Sequence, residues 1–296
     1  MTWLIVGGSG QLGSALSTVL VERGISYKSW GSKDLDIRSI FMCRKMISEL
    51  LPTVIVNSAA WTDVDGAESD SEGAYAVNFI GASNLVEAAK GIGAVFVHIS
   101  TDYVFSGKSD FPWREDDTQT PLSVYGASKA AGERAVLSHY LERTYLIRTA
   151  WLYSRWGKNF AKTMTRLAIS TQDQIRVVKN QVGQPTSALD LANQIIDTVI
   201  KKLPFGTYHG TNAGEASWFD FASSIFELAG SSPSRLVAVD STEFSRPAPR
   251  PAYSVLGHNT WNLTGTEGVS VPSMRNWKIA LEDEFPALIA AVKAGE

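Results

Sequence analysis

Tyr125 and Lys129 form the pair of side chains in this sequence best suited to proton transfer. In a helix, a spacing of four residues places both side chains on one face. A free tyrosine has a pKa of about 10 and is a poor acid or base near neutrality, but a neighbouring ammonium favours the phenolate. We therefore expect Lys129 to lower the pKa of Tyr125, so that the pair moves a proton at physiological pH. Since the same spacing also arises by chance, its meaning depends on the motifs around it.

A glycine loop near the N-terminus supplies the first of those motifs. Gly7-x-x-Gly10-x-x-Gly13 follows an apolar run and opens a stretch with helical spacing. Glycines permit a tight turn and a close approach of the backbone to a pyrophosphate, which the positive end of the helix attracts. The loop predicts a dinucleotide site, whereas a plain strand-to-helix turn is the structural alternative. Thr101 follows a second apolar run, and ligands bind at the carboxyl ends of parallel strands.

The elements that must position these residues alternate along the first half of the chain. Short apolar runs predict strands, and apolar residues three and four apart predict helices. The predicted strands cover residues 3–6, 26–30, 54–57, 94–100, 145–148 and 208–209, and the helices cover 11–23, 40–51, 74–92, 125–140, 187–202 and 218–228. This order predicts an α/β fold, a Rossmann-type doubly wound parallel sheet.

A smaller, less regular C-terminal lobe is predicted to follow the sheet. Tryptophan and proline become more frequent after about residue 150, and the prolines of residues 246–251 exclude a regular helix or central strand there. We expect residues 1–150, with later contributions from about 185–212, to form a dinucleotide-binding domain. Residues 151–296 would mainly form a substrate-binding lobe.

Composition restricts the class of protein. The chain has 296 residues, a formal net charge of −3 and a single cysteine, Cys43. One cysteine excludes an internal disulfide framework, and the charge gives no support for binding nucleic acid or a membrane surface. The four histidines have no metal-ligand spacing. Because the N-terminal apolar run is too short for a membrane span and lacks a basic start, we expect a soluble cytoplasmic protein.

Taken together, the motifs resemble those of the extended short-chain dehydrogenase/reductase family, in particular its sugar-nucleotide reductases. The stretches that carry the resemblance are residues 7–13, 57–65, 100–107, 121–126, 148–153, 159–164, 183–186 and 250–251. They run through nearly the whole chain in the expected order. The resemblance implies an NAD(P)H-dependent reduction of the C4 ketone of dTDP-6-deoxy-L-lyxo-4-hexulose to dTDP-L-rhamnose.

The resemblance also implies a role for each matching residue. Tyr125 would deliver a proton to the ketone oxygen, Lys129 would assist it and hold the nicotinamide ribose, and Thr101 would hydrogen-bond the same oxygen. The implied cofactor contacts are Gly7, Gly10, Gln11, Leu12, Gly13, Asp36, Ile37, Ala59, Ala60, Trp61, Thr62, Asn78, Ser100, Tyr125 and Lys129. The implied substrate contacts are Thr101, Asp102, Val104, Tyr125, Trp151, Asn159, Gln184 and Arg250. For Asp36 a helix N-cap is an alternative role, and for Trp151 packing within the lobe.

Two departures from the family pattern bear on cofactor and metal. NAD enzymes usually carry an acidic residue after the second strand, but here the first carboxylate is Asp34, and Lys28 or Lys33 could accept a 2′-phosphate. We therefore expect NADPH, with NADH as a second accepted cofactor. Some relatives hold magnesium at a dimer interface, and Ala15 stands at one of their acidic positions, so we expect no metal. No residue supports the homodimer that such a metal would join.

Two other functions fit the same residues. A reductase of a different nucleotide-linked 4-keto-6-deoxyhexose needs the same tyrosine, lysine and threonine, because stereochemistry depends on the shape of the pocket. The second is a non-catalytic dinucleotide-binding subunit, since this fold serves as a regulatory partner of a methionine adenosyltransferase in some organisms. The intact Thr101, Tyr125 and Lys129 favour the enzyme.

Overall fold

The computed structural model describes residues 2–263, 265 and 268–295. Its strands are β1 (Trp3–Val6), β2 (Tyr27–Trp30), β3 (Val54–Asn57), β4 (Val95–Thr101), β5 (Thr144–Thr149), β6 (Leu152–Tyr153), β7 (Ile175–Val178), β8 (Val182–Gly183), β9 (Thr186–Ser187), β10 (Gly206–His209), β11 (Ala216–Ser217) and β12 (Leu236–Val239). Its α-helices are α1 (Gln11–Glu22), α2 (Ile40–Leu50), α3 (Val64–Ser69), α4 (Ser71–Tyr75), α5 (Ala82–Gly91), α6 (Val124–Tyr140), α7 (Phe160–Ser170), α8 (Ala188–Ile200), α9 (Trp218–Leu228) and α10 (Trp277–Lys293).

A six-stranded sheet in the order β10-β5-β4-β3-β1-β2 forms the centre of the molecule, and its neighbouring strands are all parallel. The chain leaves β1 for β2 on one side and returns to β3 on the other. Ligands of doubly wound sheets bind at the carboxyl ends of strands near such a reversal. The predicted Rossmann-type fold is therefore confirmed, and the expected position of the site lies above β1 and β3.

Both faces of the sheet are covered because alternate residues of each strand point to opposite sides. Trp3 and Ile5 of β1 pack with apolar residues of α1 and α8, while Leu4 and Val6 pack with those of α2 and α5. All four residues are at most 2% exposed. This burial on both faces explains why the strand is a continuous apolar run rather than an alternating one.

One local prediction is wrong in detail, and one alternative role is excluded. Residues 74–92 were expected to form one helix, but the structure has α4, a π-helical turn at Ala76–Gly81 and then α5. Asp36 is not the N-cap of α2, because Ser39 accepts the hydrogen bond from the Met42 amide and takes that position. Asp36 instead binds the Arg38 guanidinium with both carboxylate oxygens.

The C-terminal part is more helical than expected. The sequence patterns missed α7 and α10, which pack with α9 around a separate apolar core that includes Phe221 and Trp277. Short strand pairs join the pieces, namely β7 with β12, β8 with β11, and β6 with β9. Among the described residues, no helix combines the length and apolar character needed to cross a membrane.

Candidate active site

A cleft of about 850 Å³ opens at the carboxyl ends of β1, β3, β4 and β5, between the sheet and the C-terminal part of the chain. It is lined by most of the residues that the sequence nominated: Gly7, residues 10–13, 36–37, 59–62 and 100–102, Tyr125, Lys129 and Trp151. The exceptions are Asn78, Val104, Asn159, Gln184 and Arg250. The candidate residues therefore divide into those that face the cleft and those that lie behind or beside it.

The glycine loop leaves no room for side chains. Gly7 has a φ of +86°, and a Cβ there would lie 2.5 Å from the backbone nitrogen of Ala59. A Cβ on Gly13 would lie 2.4 Å from the Gly7 carbonyl oxygen. Gly10 caps α1 without a side-chain hydrogen bond, so the first amides of this helix keep donors for a ligand. Together these features make a backbone cradle that fits a pyrophosphate.

Tyr125, Lys129 and Thr101 converge at the carboxyl end of β4. Tyr125 and Lys129 lie in the first turns of α6, whose N-cap Ser123 accepts a hydrogen bond from the Gly126 amide. Thr101 is the last residue of β4, and its hydroxyl is near enough to the Tyr125 phenol to lower the pKa of that group. The Lys129 ammonium donates to the carbonyl of Ile99 at 2.6 Å. Strand end and helix start thus place three polar side chains at one point of the cleft.

Burial, rather than the neighbouring cation, dominates the acidity of Tyr125. Desolvation raises the pKa of its phenol to about 12, although the hydrogen bond to Thr101 opposes this rise. Burial also lowers the pKa of Lys129 to about 8, against the attraction of Glu133. The expectation that Lys129 depresses the tyrosine pKa is therefore wrong for this state of the protein. A protonated phenol at neutral pH suits Tyr125 for donating a proton.

Asp102 is a buried carboxyl beside this group. Its side chain is only 2% exposed, and its Oδ1 accepts a hydrogen bond of 3.0 Å from the Thr101 hydroxyl. Burial raises the pKa of Asp102 to about 6. The proton of Thr101 is thus directed at Asp102, and the hydroxyl must turn before it can donate to a substrate oxygen.

The loop at residues 59–62 is held in place by two buried amides. Asn57 accepts a hydrogen bond from the Ala59 amide and contacts the ring of His98 on β4. Asn78 accepts from the Trp61 amide and donates both to the Trp61 carbonyl and to Ser128. The side chain of Asn78 therefore supports the loop from behind and does not reach the cleft.

Three of the predicted substrate contacts are engaged within the protein, two by hydrogen bonds and one by apolar packing. Asn159 donates to the Gln11 side chain at 2.9 Å and caps α7. Gln184 bonds both backbone groups of Leu256 and accepts from the Thr211 hydroxyl. Val104 is fully buried in a small apolar cluster with Phe105. Gln184 and Val104 shape the region around the site, and Asn159 reaches it through Gln11.

Arg250 is held by a carboxylate across the chain. Its two terminal nitrogens donate to the two oxygens of Asp65 at 2.6 and 2.7 Å, and Arg246 adds a longer contact to the same group. These contacts lower the pKa of Asp65 to about 2, mainly through the hydrogen bond from Arg250. The proline-rich loop that carries Arg250 is thus attached to the helix that follows β3.

Several cleft residues were missed by the sequence patterns. Ser32 and Arg38 line the end near β2, whereas the predicted cations Lys28 and Lys33 are exposed and lie outside the lining. Trp218, the first residue of α9, lines the opposite end. Arg38 follows the Asp36-Ile37 motif directly, so its position was a usable signal. Nothing in the local sequence around Trp218 indicated that it faces the cleft.

Ala15 lies in the first helix at the position that the resemblance assigns to an acidic metal ligand. Ala15 is completely buried against the sheet. Within the described part of the chain, no three or more histidine, cysteine or acidic side chains are grouped so that they could hold a metal ion.

Comparison with known proteins places this arrangement in a family. The model of the RmlD substrate binding domain matches residues 1–287. A dTDP-4-dehydrorhamnose reductase from Streptomyces griseus is 42% identical over 290 residues, 97% of this chain and 93% of that protein. A dTDP-4-keto-6-deoxy-D-glucose reductase from Streptomyces niveus is 39% identical, with 97% of this chain and 98% of that protein covered.

A solved structure agrees with the sequence relatives. The dTDP-4-dehydrorhamnose reductase from Bacillus anthracis, crystallised in complex with NADP, superposes with a TM-score of 0.90 at 38% identity. The match covers 96% of this chain and 98% of that one. Fold, cleft and sequence therefore agree that the chain belongs to the RmlD substrate binding domain family, together with these reductases of dTDP-linked sugars.

Proposed function

We propose that this protein reduces the C4 ketone of dTDP-6-deoxy-L-lyxo-4-hexulose to the alcohol, giving dTDP-L-rhamnose. The observation that carries the proposal is the meeting of Thr101, Tyr125 and Lys129 at the carboxyl end of β4, in a cleft that also contains the glycine cradle. Relatives that align over nearly the whole chain are named as reductases of dTDP-linked sugars. The protein is an oxidoreductase acting on a sugar-nucleotide ketone.

The residues of the chain supply the proton and stabilise the negative charge that develops on the ketone oxygen. Tyr125 donates its phenolic proton to the ketone oxygen while that oxygen gains negative charge. Thr101 donates to the same oxygen after its hydroxyl turns from Asp102, which stabilises the alkoxide-like transition state. Lys129 lies one helical turn beyond Tyr125 and provides positive charge near the phenolate that remains. The nicotinamide cofactor, when bound, supplies the hydride that reaches the carbon.

NADPH is the proposed cofactor. The glycine cradle and the uncapped start of α1 suit its pyrophosphate, and Arg38 and Ser32 line the end of the cleft beyond β2. Nε and Nη2 of Arg38 bind Asp36, so Nη1 of Arg38 and the Ser32 hydroxyl are the groups that would bind a 2′-phosphate at that end. Arg38 thereby takes the role first given to Lys28 or Lys33. Steady-state kinetics with each cofactor tests this choice, and an equal or higher kcat/KM with NADH would contradict it.

The C-terminal part is proposed to bind the sugar nucleotide. Trp151 and Trp218 line its side of the cleft, and Arg250 lies on the loop held by Asp65. In this division residues 1–150, with residues 185–212, form the cofactor domain, because α8 and β10 complete the sheet layer. The cytoplasm is the proposed location, since the reaction uses NADPH and a sugar nucleotide.

Substrate-dependent oxidation of NADPH by the isolated chain is the direct test. A panel of dTDP-4-keto-6-deoxysugars should show the highest kcat/KM with dTDP-6-deoxy-L-lyxo-4-hexulose, and NMR of the product should identify dTDP-L-rhamnose. Preference for another member of the panel would give the chain the second activity, which the relative from Streptomyces niveus represents. Tight NADPH binding with no oxidation on any sugar would support a non-catalytic binding subunit instead.

A further inference from the structure

The strongest unassigned feature of the cleft is a stacked pair of indoles. Trp151 and Trp218 lie with ring centroids 3.5 Å apart and planes only 7° from parallel. Both residues line the cleft, but they come from different elements, the turn between β5 and β6 and the start of α9. The face of Trp151 that meets Trp218 is therefore covered by protein, and only the remainder of that ring is open to a ligand.

The backbone conformation of Trp151 is intrinsically unfavourable and must be stabilised by its surroundings. Its φ is +44°, in the left-handed region that residues other than glycine avoid at a cost of roughly 1–2 kcal/mol. Its carbonyl accepts a hydrogen bond from the Thr186 amide, which fixes the backbone but not the ring. Contacts of the indole itself must therefore decide where the ring points.

Two contacts restrict the indole. Gly183 lies against it so closely that a Cβ on residue 183 would be 2.6 Å from the ring. Gly183 belongs to β8, which pairs antiparallel with β11, and β11 ends at Ser217, directly before Trp218. A single short ladder therefore carries both the glycine and the tryptophan that confine Trp151.

Trp218 is itself fixed from behind. Ser217 and Asp220 form a reciprocal pair of hydrogen bonds at the start of α9, which sets the direction of the helix. Phe160, the first residue of α7, packs against Trp218 with centroids 4.6 Å apart. Trp218 is thus held in a fixed position, and the Trp151 ring stacks against it.

We propose that Trp218 is a positioning residue for the sugar subsite, because it holds the Trp151 indole in the orientation in which that ring meets the sugar. This inference rests on the proposed function, in which Trp151 contacts the sugar of the substrate. Aromatic pairs are worth enough beyond their buried area to change an affinity by about 2- to 12-fold. Trp218→Ala should therefore raise KM for the sugar nucleotide by about that factor and keep kcat.

Binding of three ligands distinguishes a loss of Trp151 positioning from a general disruption of the C-terminal lobe. Isothermal titration with dTDP-L-rhamnose should show the same loss of affinity in Trp218→Ala, while dTDP alone and NADPH should bind as they do to the wild type. Trp218→Phe keeps an aromatic face and should recover most of the loss. Trp277→Phe is the matched control, since Trp277 lies in the core of the same lobe and contacts Phe221 rather than Trp151.

A spectroscopic measurement tests the position of the indole without any turnover. With 5-fluorotryptophan incorporated at the nine tryptophans, the Trp151 fluorine resonance can be assigned by its absence in Trp151→Phe. It should be sharp in the wild type and broaden or move towards the solvent value in Trp218→Ala, but not in Trp277→Phe. If the wild type reduces no dTDP-4-keto sugar, the proposed function fails, but this resonance still decides whether Trp218 fixes the ring.

Three results would overturn the inference: an unchanged Trp151 resonance in Trp218→Ala, an equal loss of affinity for dTDP and dTDP-L-rhamnose, or the same loss in Trp277→Phe.

Discussion

The two ends of the cleft are built in different ways. The cofactor end is made of backbone: glycines 7 and 13 have no space for a side chain, and the amides at the start of α1 have no side-chain cap. At the sugar end the candidate ligands are side chains already bonded to distant parts of the chain. Asn159 binds Gln11, 148 positions away, and Arg250 binds Asp65, 185 positions away.

The two ends therefore differ in whether their hydrogen-bond donors are free for a ligand or already bonded within the protein. A backbone cradle presents its donors whether or not a ligand is bound. A side chain in a hydrogen-bond network offers a ligand only the donors that are not already bonded within the protein. Each substrate contact at the sugar end therefore depends on the residue that binds the contacting side chain. Substitutions at the cofactor end should therefore weaken ligand binding by changing the shape of the backbone cradle. Substitutions at the sugar end should weaken it by removing a residue that holds a ligand-binding side chain.

The largest expected effect comes from the phenol that stands where the two ends meet. Tyr125→Phe should lower kcat by about 10²–10⁴-fold, because general acid catalysis supplies a factor of that size. NADPH and dTDP should bind as before, since neither end is altered. Stopped-flow turnover and titration of each ligand measure the two effects separately.

Tyr145→Phe is the matched control for Tyr125→Phe. It removes another buried phenol of the sheet domain, one that donates to the Leu203 carbonyl far from the cleft, and should leave kcat unchanged. Near-normal turnover in Tyr125→Phe would refute the assignment of the proton donor.

Asp102 should make the stability of the protein depend on pH. Its folded pKa of about 6 lies above the ordinary value of 3.8, because burial disfavours the carboxylate. The resulting stabilisation is complete below the ordinary pKa and is lost as the pH rises through about 6. Asp102→Asn cannot ionise, so the free energy of unfolding of the wild type should fall relative to that of the variant by about 2 kcal/mol between pH 4 and pH 7.

Urea unfolding of both proteins across this pH range measures the difference. The exposed carboxylate Asp110 supplies the control, since Asp110→Asn should give a curve parallel to that of the wild type. Parallel curves for Asp102→Asn as well would show that the buried carboxyl does not carry this pH dependence.

A smaller effect should follow from adding one methyl group to the cofactor cradle. In Gly13→Ala the new Cβ would meet the backbone of Gly7 and Gly8 within 3 Å, and neither can move without opening the loop. We expect the free energy of unfolding to fall by about 1–3 kcal/mol and NADPH affinity to fall with it. Thermal unfolding and fluorescence titration with NADPH measure the two.

Gly91→Ala is the matched control for the cradle, because a Cβ there meets no atom within 4 Å. It should leave NADPH affinity unchanged. Normal NADPH binding by Gly13→Ala would show that the backbone cradle does not hold the cofactor.

The contrast between the ends also explains what could be predicted from the sequence. The cofactor end follows from short motifs, since a glycine loop after a buried strand and a Tyr-x-x-x-Lys helix specify their own geometry. The parallel sheet covered on both faces followed from the alternation of strands and helices, whereas the π-helical turn at Ala76–Gly81 left no trace in the apolar pattern. The pKa of Tyr125 was predicted in the wrong direction, because spacing along a helix does not show how deeply a side chain is buried.

The sugar end was harder to predict from the sequence because its contacts join residues far apart in the chain. The resemblance nominated Gln184 and Val104, but the structure places both in the packing beneath the site. Trp218 was missed because the β8–β11 pair, which joins distant parts of the chain, brings it to Trp151. Pairings across 30 residues or more leave no periodic signal, so a single sequence cannot disclose them.

The smallest predicted effect tests whether the sugar end depends on partners. Both terminal nitrogens of Arg250 bind Asp65, and Nη1 also donates to the Ala248 carbonyl, so Nε and the second hydrogen of Nη2 are the donors proposed for a diphosphate. Because the pair is partly exposed, its contribution should be about 1 kcal/mol or less. Asp65→Asn should therefore weaken dTDP binding by up to about fivefold, since a partner that holds Arg250 in place is lost.

The direction of this change distinguishes two roles of the carboxylate. If Asp65 competed with the diphosphate for Arg250, its removal would tighten dTDP binding instead. Asp63→Asn is the control at a neighbouring carboxylate, one that caps α3 and makes no bond to Arg250, and it should leave dTDP affinity unchanged. Titration of dTDP at low and high salt completes the test, because an interaction between Arg250 and a diphosphate should weaken as salt screens the charges. Tighter binding in Asp65→Asn would mean that the sugar end, unlike the cofactor end, must be released before it can bind.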